Sequence, residues 1–232
     1  MRGEPDLASV AALIGNPSRA AMLMALADGR ALPAGELAAT AGLSLSGASA
    51  HLAQLMKGGL LLTEREGRHR YYRLSGPQVA TALNGLAALA VVPGRSRSRS
   101  PATEALRRGR TCYNHLAGGL GVAFAAALEN RGLLAPAEGK QLRVTPEGAA
   151  WFANVFAIEV TALKPGRQGI AYRCLDWTER RHHLAGSLGA LMLQRCVDLG
   201  LLTRISGSRA VALTPRGRTF LHRRLDIDFP TV

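Results

Sequence analysis

The stretch His115-Leu-Ala-Gly-Gly-Leu-Gly121 returns as His183-Leu-Ala-Gly-Ser-Leu-Gly189, 68 residues later. Gly132-Leu-Leu134 returns as Gly200-Leu-Leu202 at the same offset, and Val144-Thr-Pro-Glu-Gly148 matches Leu213-Thr-Pro-Arg-Gly217 at 69. Two copies are too few for a solenoid, which needs several stacked neighbours, so the pattern predicts one duplicated domain over 103–232, with units about 103–165 and 166–232. Each unit reads as a helix with an Ala-Gly face, a Gly-Leu-Leu exit, a short hairpin and a second helix. Thr145 and Thr214 suit the N-cap of that second helix, with Pro146 and Pro215 at its first position. Glycine costs a helix interior about 1 kcal/mol and needs a reason. For Gly118 and Gly186 the expected reason is a close pseudo-twofold crossing of the two first helices.

Upstream of the repeat, Pro93-Gly-Arg-Ser-Arg-Ser-Arg-Ser-Pro101 has nothing to bury. Residues 93–102 are therefore expected to be an exposed basic linker, in which Arg95, Arg97 and Arg99 are placed to follow a phosphate backbone. The whole chain of 232 residues carries a formal net charge of +13. That charge divides as +2 over 1–92, +5 over 93–110 and +6 over 111–232. Such an imbalance favours a polyanionic partner. Three cysteines are too few for a disulfide scaffold. No apolar run reaches the ~18 residues of a membrane span, and the start lacks a signal peptide's apolar stretch. A cytoplasmic protein without a membrane partner is expected.

Residues 1–92 read as a winged helix for DNA binding and dimerisation. Asp6–Ile14 and Ser18–Ala27 are amphipathic and separated by Asn16-Pro17. A two-turn helix over 33–41 ends at Gly42, and a longer one over 44–57 ends at Gly58-Gly59. Short helix, glycine turn and longer helix is the helix-turn-helix pattern. The longer helix offers Ser44, Ser46, Gly47, Ser49 and His51 early, with Gln54 behind them. Short side chains at that end let a recognition helix enter the major groove. Two strand-like runs, 60–63 and 71–74, flank Glu64–Arg70, whose Arg65, Arg68, His69 and Arg70 form a basic wing tip suited to phosphates or the minor groove. The apolar helix 78–90 predicts a homodimer contact, with Leu83, Leu86 and Leu89 toward the interface or adjoining core.

These residues resemble the winged-helix domain of the ArsR/SmtB family of bacterial transcriptional repressors. The resemblance rests on Asn16-Pro-Ser-Arg19, Glu36-Leu-Ala38, Leu43-Ser44, Ser49, His51-Leu52, Leu55, Gly59-Leu60-Leu61, and Glu66-Gly-Arg68 through Tyr71-Tyr72-Arg73-Leu74. Other winged-helix families such as the MarR type overlap with it. The C-terminal half is similar to the extra domain of a larger subgroup, through Thr111-Cys-Tyr-Asn-His-Leu-Ala-Gly118 and Cys174-Leu-Asp-Trp-Thr-Glu-Arg-Arg181. The resemblance implies a mainly α fold with short β-hairpins: a winged helix-turn-helix followed by an α+β domain of two related winged-helix-like units. It also implies a repressor that binds a double-stranded DNA operator as a homodimer. The family's two familiar metal sites lack their ligands here. Leu32-Pro-Ala-Gly-Glu-Leu37 has no thiol, and Gly76 and Gln78 stand where the last helix would begin with Asp and His.

The C-terminal domain is thus the candidate sensor, through Cys112, His115, Cys174, His182 and His183. Cys112 and His115 are expected one turn apart on a helix face, with Cys174, Asp176, His182 and His183 around the matching helix. A composite site for a soft metal or metalloid, a redox-sensing thiol and plain core packing all fit that set. No cofactor is required for the fold. Cys196, between Leu193 and Val197, reads as core. Two other functions fit less of the chain. A nonspecific nucleic-acid-binding protein would use the Arg-Ser linker, and a thiol enzyme would pair Cys112 with His115 but has no third orienting residue.

Overall fold

The computed structural model describes residues 6–67, 69–90 and 100–230. Arg68 and most of the expected Arg-Ser linker, including Arg95, Arg97 and Arg99, lie outside the described residues. The chain divides into two compact units, Met1–Leu83 and Asn84–Val232.

The first unit runs α1 (Leu7–Ile14), α2 (Pro17–Ala25), β1 (Leu32–Pro33), α3 (Ala34–Ala41), α4 (Leu45–Lys57), β2 (Leu61–Glu66), β3 (His69–Leu74) and the start of α5 (Pro77–Leu89). Local chemistry sets the helix starts. Asp6, Asn16 and Ser44 each accept a hydrogen bond from the backbone N–H three residues on, the N-cap arrangement that satisfies an orphan donor. Gly42, at φ +65°, turns the chain between α3 and α4. Met22, Leu23, Leu26, Leu37, Ala48, Leu52 and Leu55 are buried in this unit, whose three strands form an antiparallel sheet of order β1-β3-β2. Together these elements are a winged helix-turn-helix. The wing strands are longer than expected, because Gly67 at φ +57° closes a tight hairpin. Arg65 is therefore in the ladder opposite Arg70, and Glu66 opposite His69, rather than on a loose tip.

In the second unit α6 (Pro101–Arg108) precedes two copies of one pattern. The first copy is β4 (Arg110–Cys112), β5 (His115–Ala117), α7 (Gly118–Asn130), β6 (Leu134–Pro136), β7 (Leu142–Val144) and α8 (Pro146–Phe156). The second is β8 (Tyr172–Leu175), β9 (His182–Ala185), α9 (Gly186–Asp198), β10 (Leu202–Arg204), β11 (Val211–Leu213) and α10 (Pro215–Leu225). Thr145 and Thr214 cap α8 and α10 by accepting from the N–H of Gly148 and Gly217.

Each copy opens with a hairpin rather than a helix, which corrects the expected placement of Cys112 and His115. The reason is backbone geometry. Tyr113 at φ 54° turns β4 into β5, and Gly118 at φ +77° turns β5 into α7. Gly186, at φ +90°, repeats that second turn. A Cβ on Gly118 would sit 2.6 Å from Arg107 O, and one on Gly186 2.3 Å from Ile170 O. These two glycines thus serve a strand-to-helix turn, not a crossing of two helices. Instead α7 packs on β9, and α9 on β5.

The copies also complete each other's sheets. Thr111 N donates to Arg209 O (2.8 Å) and Val211 N to Gly109 O (2.9 Å). At the equivalent place Arg173 N donates to Lys140 O (2.8 Å) and Leu142 N to Ala171 O (2.9 Å). One core containing Phe124, Phe152, Phe156, Leu188, Met192 and Cys196 runs through both copies. Cys196 is fully buried there.

Candidate functional site

Two places in the molecule gather functional chemistry, one in each unit. In the first, α4 exposes Ser44, Ser46, Ser49 and Gln54, while Gly47 and His51 are half-buried. Ser44 Oγ is used as the cap and lies 3.1 Å from Ser46 Oγ. Ser49 Oγ donates back to Leu45 O, and Gln54 Oε1 accepts from Arg19 Nη1. Arg65, His69 and Arg70 are exposed on the wing. A groove lined by Ser49, Ala53, Met56, Lys57, Arg70 and Tyr72 joins helix to wing. Arg73, beside them, is already paired with Glu64.

In the second unit the structure brings together Cys112, His115, Cys174 and His183. Cys112 is directly opposite His115 in one hairpin, and Cys174 opposite His183 in the other. The four ligand atoms all lie within 4.8 Å of one another. Sequence distance had concealed this, because Cys112 and His115 are three residues apart whereas Cys174 and His183 are nine apart. The imidazoles are 5.1 Å apart, centroid to centroid. Gly121 and Gly189 border the two rings, although what excludes a Cβ there is the backbone oxygen of Leu116 (2.5 Å) and of Leu184 (2.6 Å). A Cβ on Gly121 would sit 3.5 Å from His183 Cβ, and one on Gly189 3.4 Å from His115 Cβ. His182 stays outside, exposed beside Arg173 and Arg181.

Three residues around the cluster escaped the sequence reading in these roles. Asn114 Oδ1 lies 3.3 Å from His115 Nδ1. Asp176 Oδ2 lies 3.2 Å from His183 Nδ1. Both are two residues beyond a cluster cysteine, a correspondence that the 68-residue offset hid because these pairs are 62 apart. Asp176 is fully buried and accepts from Arg110 Nη2 (2.9 Å), the Gly118 amide (2.7 Å) and Thr178. Burial alone would raise its pKa, but His183, Arg110, Thr178 and the Gly118 amide together hold it well below the usual carboxylate range. Arg110, the third residue, lies over the Trp177 ring at 4.6 Å.

The thiols differ in character. A hydrogen bond from Cys174 outweighs burial and, with the two imidazoles, brings the Cys112 pKa well down. The same contact and burial push Cys174 up, since its ionisation would set two thiolates side by side. Asn84, the first residue of this unit, also donates to Cys112 Sγ at 3.0 Å. Burial would lower the His183 pKa, but Asp176 and Cys112 raise it.

Comparison with known proteins gives the following. A helix-turn-helix domain family model matches residues 14–64. The HTH-type transcriptional regulator YdfF of Bacillus subtilis is 37% identical over 226 residues, covering 96% of this chain and 98% of that protein. The HTH-type transcriptional regulator CmtR of Mycobacterium bovis is 40% identical over 83 residues, 36% of this chain and 70% of that protein. A solution structure of the homodimeric winged helix-turn-helix domain of Mb0332 from M. bovis, a possible ArsR-family regulator, is 32% identical with a TM-score of 0.34. It covers 38% of this chain and 89% of that one. Among the described residues, no helix is long and apolar enough to cross a membrane.

Proposed function

The chain belongs to the ArsR-type winged helix-turn-helix transcriptional regulators, and from that premise we propose that it is a sequence-specific repressor acting as a homodimer, with its signal entering through the second unit. The observation that carries the DNA reading is the continuity of α4 and the wing. Hydroxyl and amide groups suited to base edges stand beside the cationic Lys57, Arg65 and Arg70, suited to phosphates. The dimer reading is supported by exposed apolar helix faces. α1 buries no residue, with Leu7 76% exposed, and Leu89 on α5 is 80% exposed. Leu83 is buried and Leu86 exposed. A twofold dimer would match half-sites about 34 Å apart on one side of a duplex. The cysteine–histidine cluster supports the second unit as the place where a signal acts.

The test is selection of bound duplexes from a random pool by the full chain, followed by footprinting and transcription in vitro. A palindromic footprint, favoured by roughly a thousandfold or more over random sequence, together with reduced transcript supports the proposal. Even coating of all sequences would instead establish nonspecific binding. Raised transcript would refute repression. Regulation is read separately, as operator affinity of the wild type and of a Cys112→Ser, Cys174→Ser variant with and without a thiol oxidant. Identical responses would move the signal elsewhere.

A further inference from the structure

We propose that Cys112, His115, Cys174 and His183 form a closed four-ligand site for a zinc-class divalent cation, shared between the two repeats of the second unit. The inference concerns this unit alone and stands whether or not occupancy alters DNA binding.

Donor spacing is the first ground. Tetrahedral coordination with metal–sulfur bonds of about 2.3 Å and metal–nitrogen bonds of about 2.0–2.1 Å sets the donors roughly 3.5 Å apart. All four donors already lie within 4.8 Å of one another. Closing the site therefore asks the hairpins to draw in by about an ångström.

Unmet hydrogen-bonding capacity is the second. His115 and His183 are 4% and 1% exposed. Neither His115 Nε2 nor His183 Nε2 has a hydrogen-bond partner. Buried polar atoms left this way are costly. A cation bound by one nitrogen of each ring removes that cost.

The outer contacts fit as well. Asn114 at His115 Nδ1 and Asp176 at His183 Nδ1 leave each Nε2 for the metal. An oxygen placed on the far nitrogen is how metal-bound imidazoles are oriented. Asp176 is itself locked by Arg110 and the Gly118 amide, so its oxygen is in place before any cation arrives.

Charge and donor type select the ion. Binding sends the protons held on the four ligating atoms to solvent, leaving two thiolates and two neutral imidazoles around the cation. A divalent ion makes that assembly neutral, whereas a monovalent or trivalent one would leave a net charge buried. Two sulfurs and two nitrogens in a tetrahedron suit zinc and its soft neighbours. Calcium and magnesium, which require oxygen ligands, are excluded. Four protein ligands leave no open position, so the site holds rather than catalyses.

The test uses the full chain, reduced and stripped with a chelator, titrated with Co²⁺ as the spectroscopic probe. The expected result is one equivalent bound, with a sulfur-to-cobalt charge-transfer band and tetrahedral d–d absorption, both abolished by Zn²⁺. The double variant Cys112→Ser, Cys174→Ser should lose the charge-transfer band and His183→Ala the tetrahedral d–d absorption, while His182→Ala and Cys196→Ser keep both. Should the ligand variants fail to fold, alkylation of the wild type decides. Zn²⁺ should then protect Cys112 and Cys174 in the peptide masses. The proposal is overturned by an octahedral cobalt spectrum without the sulfur band, by a sulfur band that survives in the folded double cysteine variant, or by equal alkylation with and without Zn²⁺.

Discussion

Arg110 and Asp176, one from each repeat, meet as an ion pair at 2.9 Å with their side chains 1% and 0% exposed. Neither charge reaches water. Each has a second anchor: Arg110 stacks on Trp177, and Asp176 receives the Gly118 amide at the turn into α7. One carboxylate thus fixes a cationic neighbour, a helix start and an imidazole at once.

Removing one partner of such a pair leaves the other buried and unmatched, which costs about 3–5 kcal/mol. Arg110→Met should lower the stability of the second unit by that amount in urea. Tryptophan fluorescence is a clean probe, because Trp151 and Trp177, the chain's two tryptophans, both belong to that unit. A loss below about 1 kcal/mol would show that the pair is dispensable.

For the wing, Arg65→Ala and Arg70→Ala should each weaken operator binding on all sequences and reduce the salt slope by about 1. Arg73→Ala is the control, since that side chain is committed to Glu64. Ser46→Ala should instead change base preference by about 1–3 kcal/mol at one operator position. Binding isotherms at several salt concentrations separate these effects.

The turn glycines predict a graded series. Gly118→Ala and Gly186→Ala place a methyl group within 2.6 Å of a backbone oxygen, on top of a positive φ. Gly132→Ala has the same sign of φ but open space around it. The left-handed conformation alone costs roughly 1–2 kcal/mol. The first two variants should lose more than this and the third no more, as read by thermal unfolding.

Burial pushes the Cys196 thiol up to about 12. At pH 8 only about one molecule in ten thousand would carry the thiolate, so native Cys196 should resist alkylation. The linkage sign follows from a folded pKa above the unfolded one. The stabilising contribution is complete below the ordinary thiol range and is lost as pH rises from about 9 toward 12, at up to about 1.4 kcal/mol per pH unit. Cys196→Ala should flatten the alkaline limb of a stability–pH curve.

The apolar face of α5 should carry self-association. The wild type is expected to sediment at twice the 24.5 kDa chain mass. Leu86→Asp with Leu89→Asp should sediment as a monomer and bind a half-site more weakly. A monomeric wild type with full operator affinity would overturn the dimer.

The helix-turn-helix was legible in the sequence because its signals are local. Asn16-Pro17, Gly42 and Ser44 each mark a boundary within a few residues of themselves, and the buried leucines keep helical spacing. Thr145-Pro146 and Thr214-Pro215 worked in the same way. The first hairpin of each repeat was hidden for physical reasons. Strands of three or four residues carry no period, and Tyr113 turns the chain without a turn residue's identity. A separation of three residues between Cys112 and His115 also fits a helix face as well as a two-residue hairpin. The meeting of Cys112 with Cys174 depends on two hairpins that pack across 62 residues, and only the repeat hinted at it.

The backbone hydrogen bonds that join the hairpins of the two copies have a consequence for synthesis. When β4 and β5 leave the ribosome, the partner that borders β4 is roughly a hundred residues from being made, and loops of that length close late and slowly. The first copy must wait with a bare strand edge until β11 emerges. A ribosome stalled before residue 211 therefore releases not half of a folded unit but a chain with an open edge, the kind that invites pairing with other chains.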